Sequence, residues 1–218
     1  MKNTVIFDMD GTLLDTLKDL RDSVNFALEK YKYPKRTIEE IRNFVGNGVK
    51  VLVDKALPGG TENEDFDDVF KTFKLHYAKN CNNKTKPYDG LIPVIKKLKD
   101  DGYKMAVVSN KSDREVKNLT KIYFDGLIDV AIGQSDKIRK KPYPDEVEKA
   151  LELLNSVADE SVYVGDSEVD VMTAKNSNLD LIAVLWGFRS RDVLIDNGAT
   201  VLIEKPEEII QVLDSYDE

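Results

Sequence analysis

Short β-branched runs that break off at a polar or acidic cluster recur along this chain, and they limit the folds open to it. Thr4-Val5-Ile6-Phe7 stops at Asp8, Met105-Ala106-Val107-Val108 at Ser109-Asn110, and Val162-Tyr163-Val164 at Gly165-Asp166. None alternates apolar with polar residues, so each reads as a strand buried on both faces, as in a parallel sheet. Runs at 127–132, 181–185 and 200–203 extend the series. Helical patterns separate them. Between 90 and 101, Ile92, Ile95 and Leu98 share a face, and Gly102 follows as a C-terminal stop. Ser112-Asp113-Arg114-Glu115 is a capping box, and Pro144-Asp145-Glu146 and Pro206-Glu207-Glu208 read as first turns. Strands alternating with such helices imply right-handed crossovers and a doubly wound, Rossmann-like α/β core with a parallel sheet.

Residues 15–84 break this rhythm. Four helical stretches are expected there, at 16–31, 37–44, 48–57 and 63–80, with no strand among them and a break at Pro58-Gly59-Gly60. The span is too long for a crossover. It predicts an inserted α-helical domain over 15–84, with the α/β core built from 1–14 and 85–218; a length of 218 residues accommodates both.

Composition narrows the function. Asp and Glu outnumber Lys and Arg by 40 to 32, giving a formal charge of −8, which disfavours nucleic-acid binding. Cys81 and His76 are each the single residue of their kind, so a disulfide framework or a multi-histidine zinc site is not expected. No apolar run approaches the roughly 20 residues that span a bilayer. The start of the sequence runs directly into acidic residues with no signal-peptide pattern, so a cytoplasmic protein without membrane contact is expected.

In open α/β sheets, ligands bind beyond the carboxyl ends of the strands. Here those ends carry Asp8 and Asp10, then Ser109 and Asn110, then Asp166. In Asp8-Met9-Asp10-Gly11-Thr12, residues two apart face the same way while the chain is extended, and Gly11 permits a sharp turn. Two such acids can divide labour, one as nucleophile and metal ligand, the other as general acid and then base. Asp166 and Asp170 flank the expected start of a helix, and Asp166 with Asp8 suits a hard cation such as Mg²⁺. Ser109-Asn110, expected just before a helix N-terminus, offers an anion site. Lys141, stiffened by Pro142 and Pro144, offers the positive charge a transferring phosphoryl group needs. Each element also has a structural explanation as a turn, a cap or a solvated loop; their joint occurrence at successive strand ends favours one phosphoryl site.

Asp8-Met9-Asp10-Gly11-Thr12, Ser109-Asn110-Lys111, Lys141-Pro142 and Gly165-Asp166-Ser167-Glu168-Val169-Asp170 resemble the four motifs of the haloacid-dehalogenase-like hydrolases. The helical insertion resembles that superfamily's cap. Phe44-Val45-Gly46-Asn47-Gly48, Thr85-Lys86-Pro87-Tyr88-Asp89-Gly90, Lys141-Pro142-Tyr143-Pro144-Asp145 and Trp186-Gly187-Phe188 are similar to phosphoglycolate phosphatases. The resemblance implies an aspartyl-phosphate on Asp8, with Asp10 as general acid and base. Thr12, Ser109, Asn110 and Lys141 would bind phosphate. Mg²⁺ would sit on Asp8, the Asp10 carbonyl and Asp166, with Gly11, Gly165 and Asp170 in support. The cap would select the leaving group, and the Gly-flanked Asn47 would supply a substrate contact. The implied substrate is a small phosphorylated metabolite, 2-phosphoglycolate first, with pyrophosphate, a sugar phosphate or a nucleotide as alternatives, acted on by a monomer or weak homodimer. Two departures stand out. Ser177-Asn178 replaces the Ala-Gly of many relatives, and no histidine follows the first motif, where phosphomutases of the superfamily carry one. Asp10 argues against carbon–halogen hydrolysis, which needs no protonating acid there, and the intact motif set argues against a non-catalytic phosphate-binding protein. His76 is read as a surface or cap-packing residue and Trp186 as packing near the core rim, and Cys81, in a polar loop, is assigned no role.

Overall fold

The structure, a computed structural model, describes residues 2–216. In chain order its strands are β1 (Thr4–Phe7), β2 (Leu14–Asp15), β3 (Lys86–Pro87), β4 (Lys104–Ser112), β5 (Val130–Gln134), β6 (Ser161–Gly165), β7 (Asp180–Val184) and β8 (Leu202–Ile203). Its α-helices are α1 (Leu17–Lys30), α2 (Ile38–Phe44), α3 (Val49–Ala56), α4 (Phe66–Asn80), α5 (Leu91–Asp100), α6 (Asp113–Phe124), α7 (Asp145–Leu154), α8 (Glu168–Asn176), α9 (Arg191–Asp196) and α10 (Glu208–Ser215). Two compact units emerge: Met1–Leu14 with Pro87–Glu218, and Asp15–Lys86. Among the described residues, no helix is long and apolar enough to cross a membrane.

The first unit is a six-stranded sheet in the order β5-β4-β1-β6-β7-β8, with parallel pairing throughout. Val5, Ile6, Phe7, Val107, Val108, Val162 and Val164 are fully buried, which is why these strands lack alternation. The chain runs outward from β1 through β4 to β5, then returns to β1's other flank for β6. That reversal makes the carboxyl end of β1 the topological switch point, where ligands of such sheets bind. Register does the rest. Phe7 lies level with Val107 on one side and Val164 on the other, so Asp8, Ser109 and Asp166 come to one edge of the sheet.

The structure departs from the sequence pattern in three places. β4 does not end at Val108 but runs to Ser112, with a register shift against β5 between Ser109 and Ser112. Ser109 and Asn110 therefore belong to a strand rather than a helix N-terminus, because they and Lys111 are buried where the sheet meets the site. β5 starts late, at Val130, since the amides of Leu127 and Ile128 turn back to the Phe124 carbonyl and finish α6. α9 has only Leu194 buried, too little for an apolar period to show.

In the second unit, α1 and α4 pack through Leu20, Val24, Phe73 and Tyr77, all almost fully buried, with the last two rings stacked 5.5 Å apart. Thr37 and Glu40 form a reciprocal capping box on α2. The buried carboxylate of Asp19 accepts from the Lys84 and Thr85 amides and the Thr85 hydroxyl, tying the start of α1 to the returning chain. His76 has its Nδ1 3.0 Å from the Ser23 hydroxyl and its ring on Phe26, and burial pushes its pKa down. Cys81 is buried at the C-terminal end of α4.

Candidate active site

Lys141 is the centre of the constellation at the sheet edge. Its ammonium, 3% exposed as a residue, donates to Asp8 Oδ1 at 2.8 Å, to Asp170 Oδ1 at 2.7 Å and to the Tyr163 hydroxyl at 2.9 Å. Tyr163 in turn donates to Asp170 Oδ1 at 3.1 Å. Asn110 Nδ2 donates to the Lys141 carbonyl at 3.2 Å and so fixes the loop that presents the ammonium.

Asp170 is saturated by its own fold. Its Oδ2 accepts from the amides of Asp166 and Ser167 and from the Ser167 hydroxyl, at 3.2, 3.1 and 2.6 Å. Ser167 and Asp170 form the capping box of α8, which places both at the mouth of β6. Burial works to raise the Asp170 pKa, but Lys141 and these donors overcome it and hold the carboxyl below its usual range. Gly165 permits the approach, since a Cβ there would lie 2.3 Å from the Asp170 Cβ.

For Asp8 and Asp166 the compensation falls short of the cost of burial. Burial pushes Asp8 up to about 7, with Lys141 pulling down and Asp170 pushing up. Burial also raises Asp166 well above the usual carboxylate range, reinforced by the charges of Asp170 and Asp8. Asp166 Oδ1 accepts from the Thr12 hydroxyl at 3.1 Å and Oδ2 from the Phe188 amide at 2.7 Å. Gly11, at φ +95°, turns the chain beside it; a Cβ would lie 2.4 Å from Asp166 Oδ2.

Asp8, Asp166 and Asp170 each offer an oxygen within 4.8 Å of the others, all three buried. Three buried carboxylates beside one Lys141 ammonium leave hard oxygens in excess of the positive charge, which fits a divalent cation such as Mg²⁺; such an ion would oppose the upward pKa pressure on Asp8 and Asp166. Asp170 accepts from Lys141, Tyr163, the Asp166 and Ser167 amides and the Ser167 hydroxyl, whereas Asp8 takes Lys141 and Asp166 takes Thr12 and Phe188, so Asp8 and Asp166 are the better candidates to hold it.

Asp10 is half-buried, and both its oxygens accept from Lys111 Nζ at 2.9 and 3.0 Å. Lys111 is itself 3% exposed and its amide points to the Ser109 hydroxyl at 3.4 Å. Lys111 was visible beside Ser109-Asn110, yet nothing in the motif assigned it to Asp10. Tyr163 was hidden inside an apolar run. Trp186, expected as packing, donates its indole N–H to the Thr12 carbonyl at 3.0 Å. Asn47 lies in the other unit, half-buried in the turn between α2 and α3.

A family model described as haloacid dehalogenase-like hydrolase matches residues 5–184. A phosphoglycolate phosphatase of Psychrobacter arcticus is 35% identical over 198 residues, 86% of this chain and 85% of that one. A candidate pyrophosphatase, PpaX of Caldanaerobacter subterraneus, is 29% identical across 98% of this chain and 96% of its own. Among solved structures, a candidate phosphoglycolate phosphatase from Lactobacillus delbrueckii superposes with a TM-score of 0.93 at 38% identity, covering 98% of this chain and 99% of that one. With the four motifs gathered at one sheet edge and the match spanning most of the sequence, the chain belongs to the haloacid dehalogenase-like hydrolases, on their phosphoglycolate phosphatase-like branch.

Proposed function

We propose that this hydrolase is a Mg²⁺-dependent phosphatase that removes the phosphoryl group from a small phosphomonoester, 2-phosphoglycolate first among them, through an aspartyl-phosphate on Asp8. The observation that carries the reading is the Lys141 ammonium held between Asp8 and Asp170. It aims one carboxylate at the switch point while keeping a buried positive charge beside it.

In this scheme an Asp8 oxygen attacks phosphorus and the bond to the ester oxygen breaks, while the Asp10 carboxylic acid gives its proton to that oxygen. Asp10, now a carboxylate, takes a proton from water; the water oxygen attacks phosphorus, phosphate leaves and Asp8 is restored. Ser109, Asn110, Thr12 and Lys141 are assigned to phosphoryl binding, Lys141 by charge. Asp8 and Asp166, with the Asp10 carbonyl, would hold Mg²⁺, which supplies charge that keeps Asp8 ionised and offsets the phosphoryl oxygens. Gly11 and Gly165 make room for Asp166 and Asp170.

Phosphate release from a panel of phosphorylated metabolites, with Mg²⁺ and with EDTA, tests the reading. 2-Phosphoglycolate is expected to be turned over only with metal, and Asp8→Asn to abolish turnover with a native spectrum. Near-normal turnover by that variant would rule the nucleophile out. The similarity to a candidate pyrophosphatase favours pyrophosphate as the second substrate for the panel.

A further inference from the structure

Asp166 is gripped from two sides by groups outside the four motifs or not credited with this role. The Phe188 amide donates to its Oδ2 and the Thr12 hydroxyl to its Oδ1. Gly187 lies against it so closely that a Cβ would fall 2.3 Å from the Asp166 Cβ and 2.5 Å from Oδ2. The turn carrying Gly187 and Phe188 is pinned at both ends. Trp186 donates to the Thr12 carbonyl, and Arg189 pairs with Glu168, the first residue of α8, with Nε to Oε2 at 2.7 Å. Trp186 and Thr12 thus close a ring: turn to first loop, first loop to Asp166, Asp166 back to the turn.

We propose that Trp186-Gly187-Phe188, with Thr12, is a positioning shell that fixes the Asp166 carboxylate for a Mg²⁺-sized cation. The proposal rests on the cation site described above. Each Asp166 oxygen already takes one protein donor, so the carboxylate cannot swing and offers its remaining lone pairs in one orientation. Mg²⁺ demands near-octahedral geometry at short distances, whereas Ca²⁺ accepts irregular coordination. A rigid Asp166 therefore favours the smaller ion, and freeing it costs Mg²⁺ more than Ca²⁺. Outer-shell partners of this kind typically change metal affinity by about 10- to 100-fold.

The test titrates Mg²⁺ and, separately, Ca²⁺ into the metal-free full chain by calorimetry, for the unaltered protein, Gly187→Ala and Thr12→Val. Thr12→Val removes one donor with little change of volume and serves should Gly187→Ala not fold. Folded variants are expected to bind Mg²⁺ about 10- to 100-fold more weakly, with a reduced Mg²⁺-to-Ca²⁺ affinity ratio. A merely structural role would lower the melting temperature and leave that ratio alone. Mg²⁺ affinity and ratio unchanged in a folded variant would overturn the shell while leaving the cation site standing. An unaltered protein that binds no Mg²⁺ would overturn both.

Discussion

The Lys141 ammonium has three protons and three acceptors within 2.9 Å, so little freedom is left to it. Buried this deeply, it is costly without its carboxylates, and they are costly without it. Burial alone would lower the Lys141 pKa, but Asp170 and Asp8 raise it well above the usual range, so it stays charged. Lys141→Met is expected to abolish turnover and to lower unfolding free energy by about 3–5 kcal/mol, the usual result of breaking a buried pair. Denaturant titration checks it, and an unaltered midpoint would contradict the account. Lys111 is a gentler case, since Asp10 is partly open to solvent. Lys111→Met should lower kcat by about 100-fold, the low end of what general acid–base groups contribute, with the spectrum unchanged.

At the scale of elements, α7 carries an anomaly. Glu146 is fully buried in its first turn, and among the described residues neither carboxyl oxygen has a hydrogen-bond partner. Burial pushes its pKa up to about 7, with Lys141 pulling against this and Asp8 pushing with it. The folded chain thus keeps a proton that the unfolded chain releases from about 4.5 upward. Glu146 costs nothing below that pH, and its penalty grows until about 7, reaching at most about 3 kcal/mol from the size of the shift. Glu146→Gln should therefore gain stability over the unaltered protein as pH rises from 5 to 8. Urea midpoints across that range would decide it, and a constant gap would refute it. β4 shows the same competition between element and site. Its polar end, Ser109-Asn110-Lys111, reads as a loop because it is polar, yet the sheet keeps it because the site is built on that edge.

For the whole molecule, four carboxylates and two ammonium groups converge within a chain that is already acidic, with a net charge of −8. A divalent cation bound only to the folded state stabilises it by mass action, by about 2.7 kcal/mol at 100 times its dissociation constant. Adding MgCl₂ to EDTA-treated protein should thus raise the melting temperature by several degrees, and Asp166→Asn should remove most of the rise. No shift in the unaltered protein would argue against the cation.

The sequence alone marked where β1 and β6 give way to acidic clusters, because β-branched runs and acidic residues report burial and turning along a single element. It placed Asp8, Asp10, Ser109, Asn110 and Asp166 at one edge through the rule that parallel strands share an orientation. It could not show that Tyr163, buried within an apolar run, turns its hydroxyl to Lys141, or that the Trp186 indole reaches Thr12. Nor could it tell that Asp170 accepts from Lys141, Tyr163 and Ser167 while Asp166 accepts from Thr12 and the Phe188 amide. Those outcomes depend on register and on which backbone amides face inward. They are fixed only when segments far apart in the chain pack to within a hydrogen bond of one another.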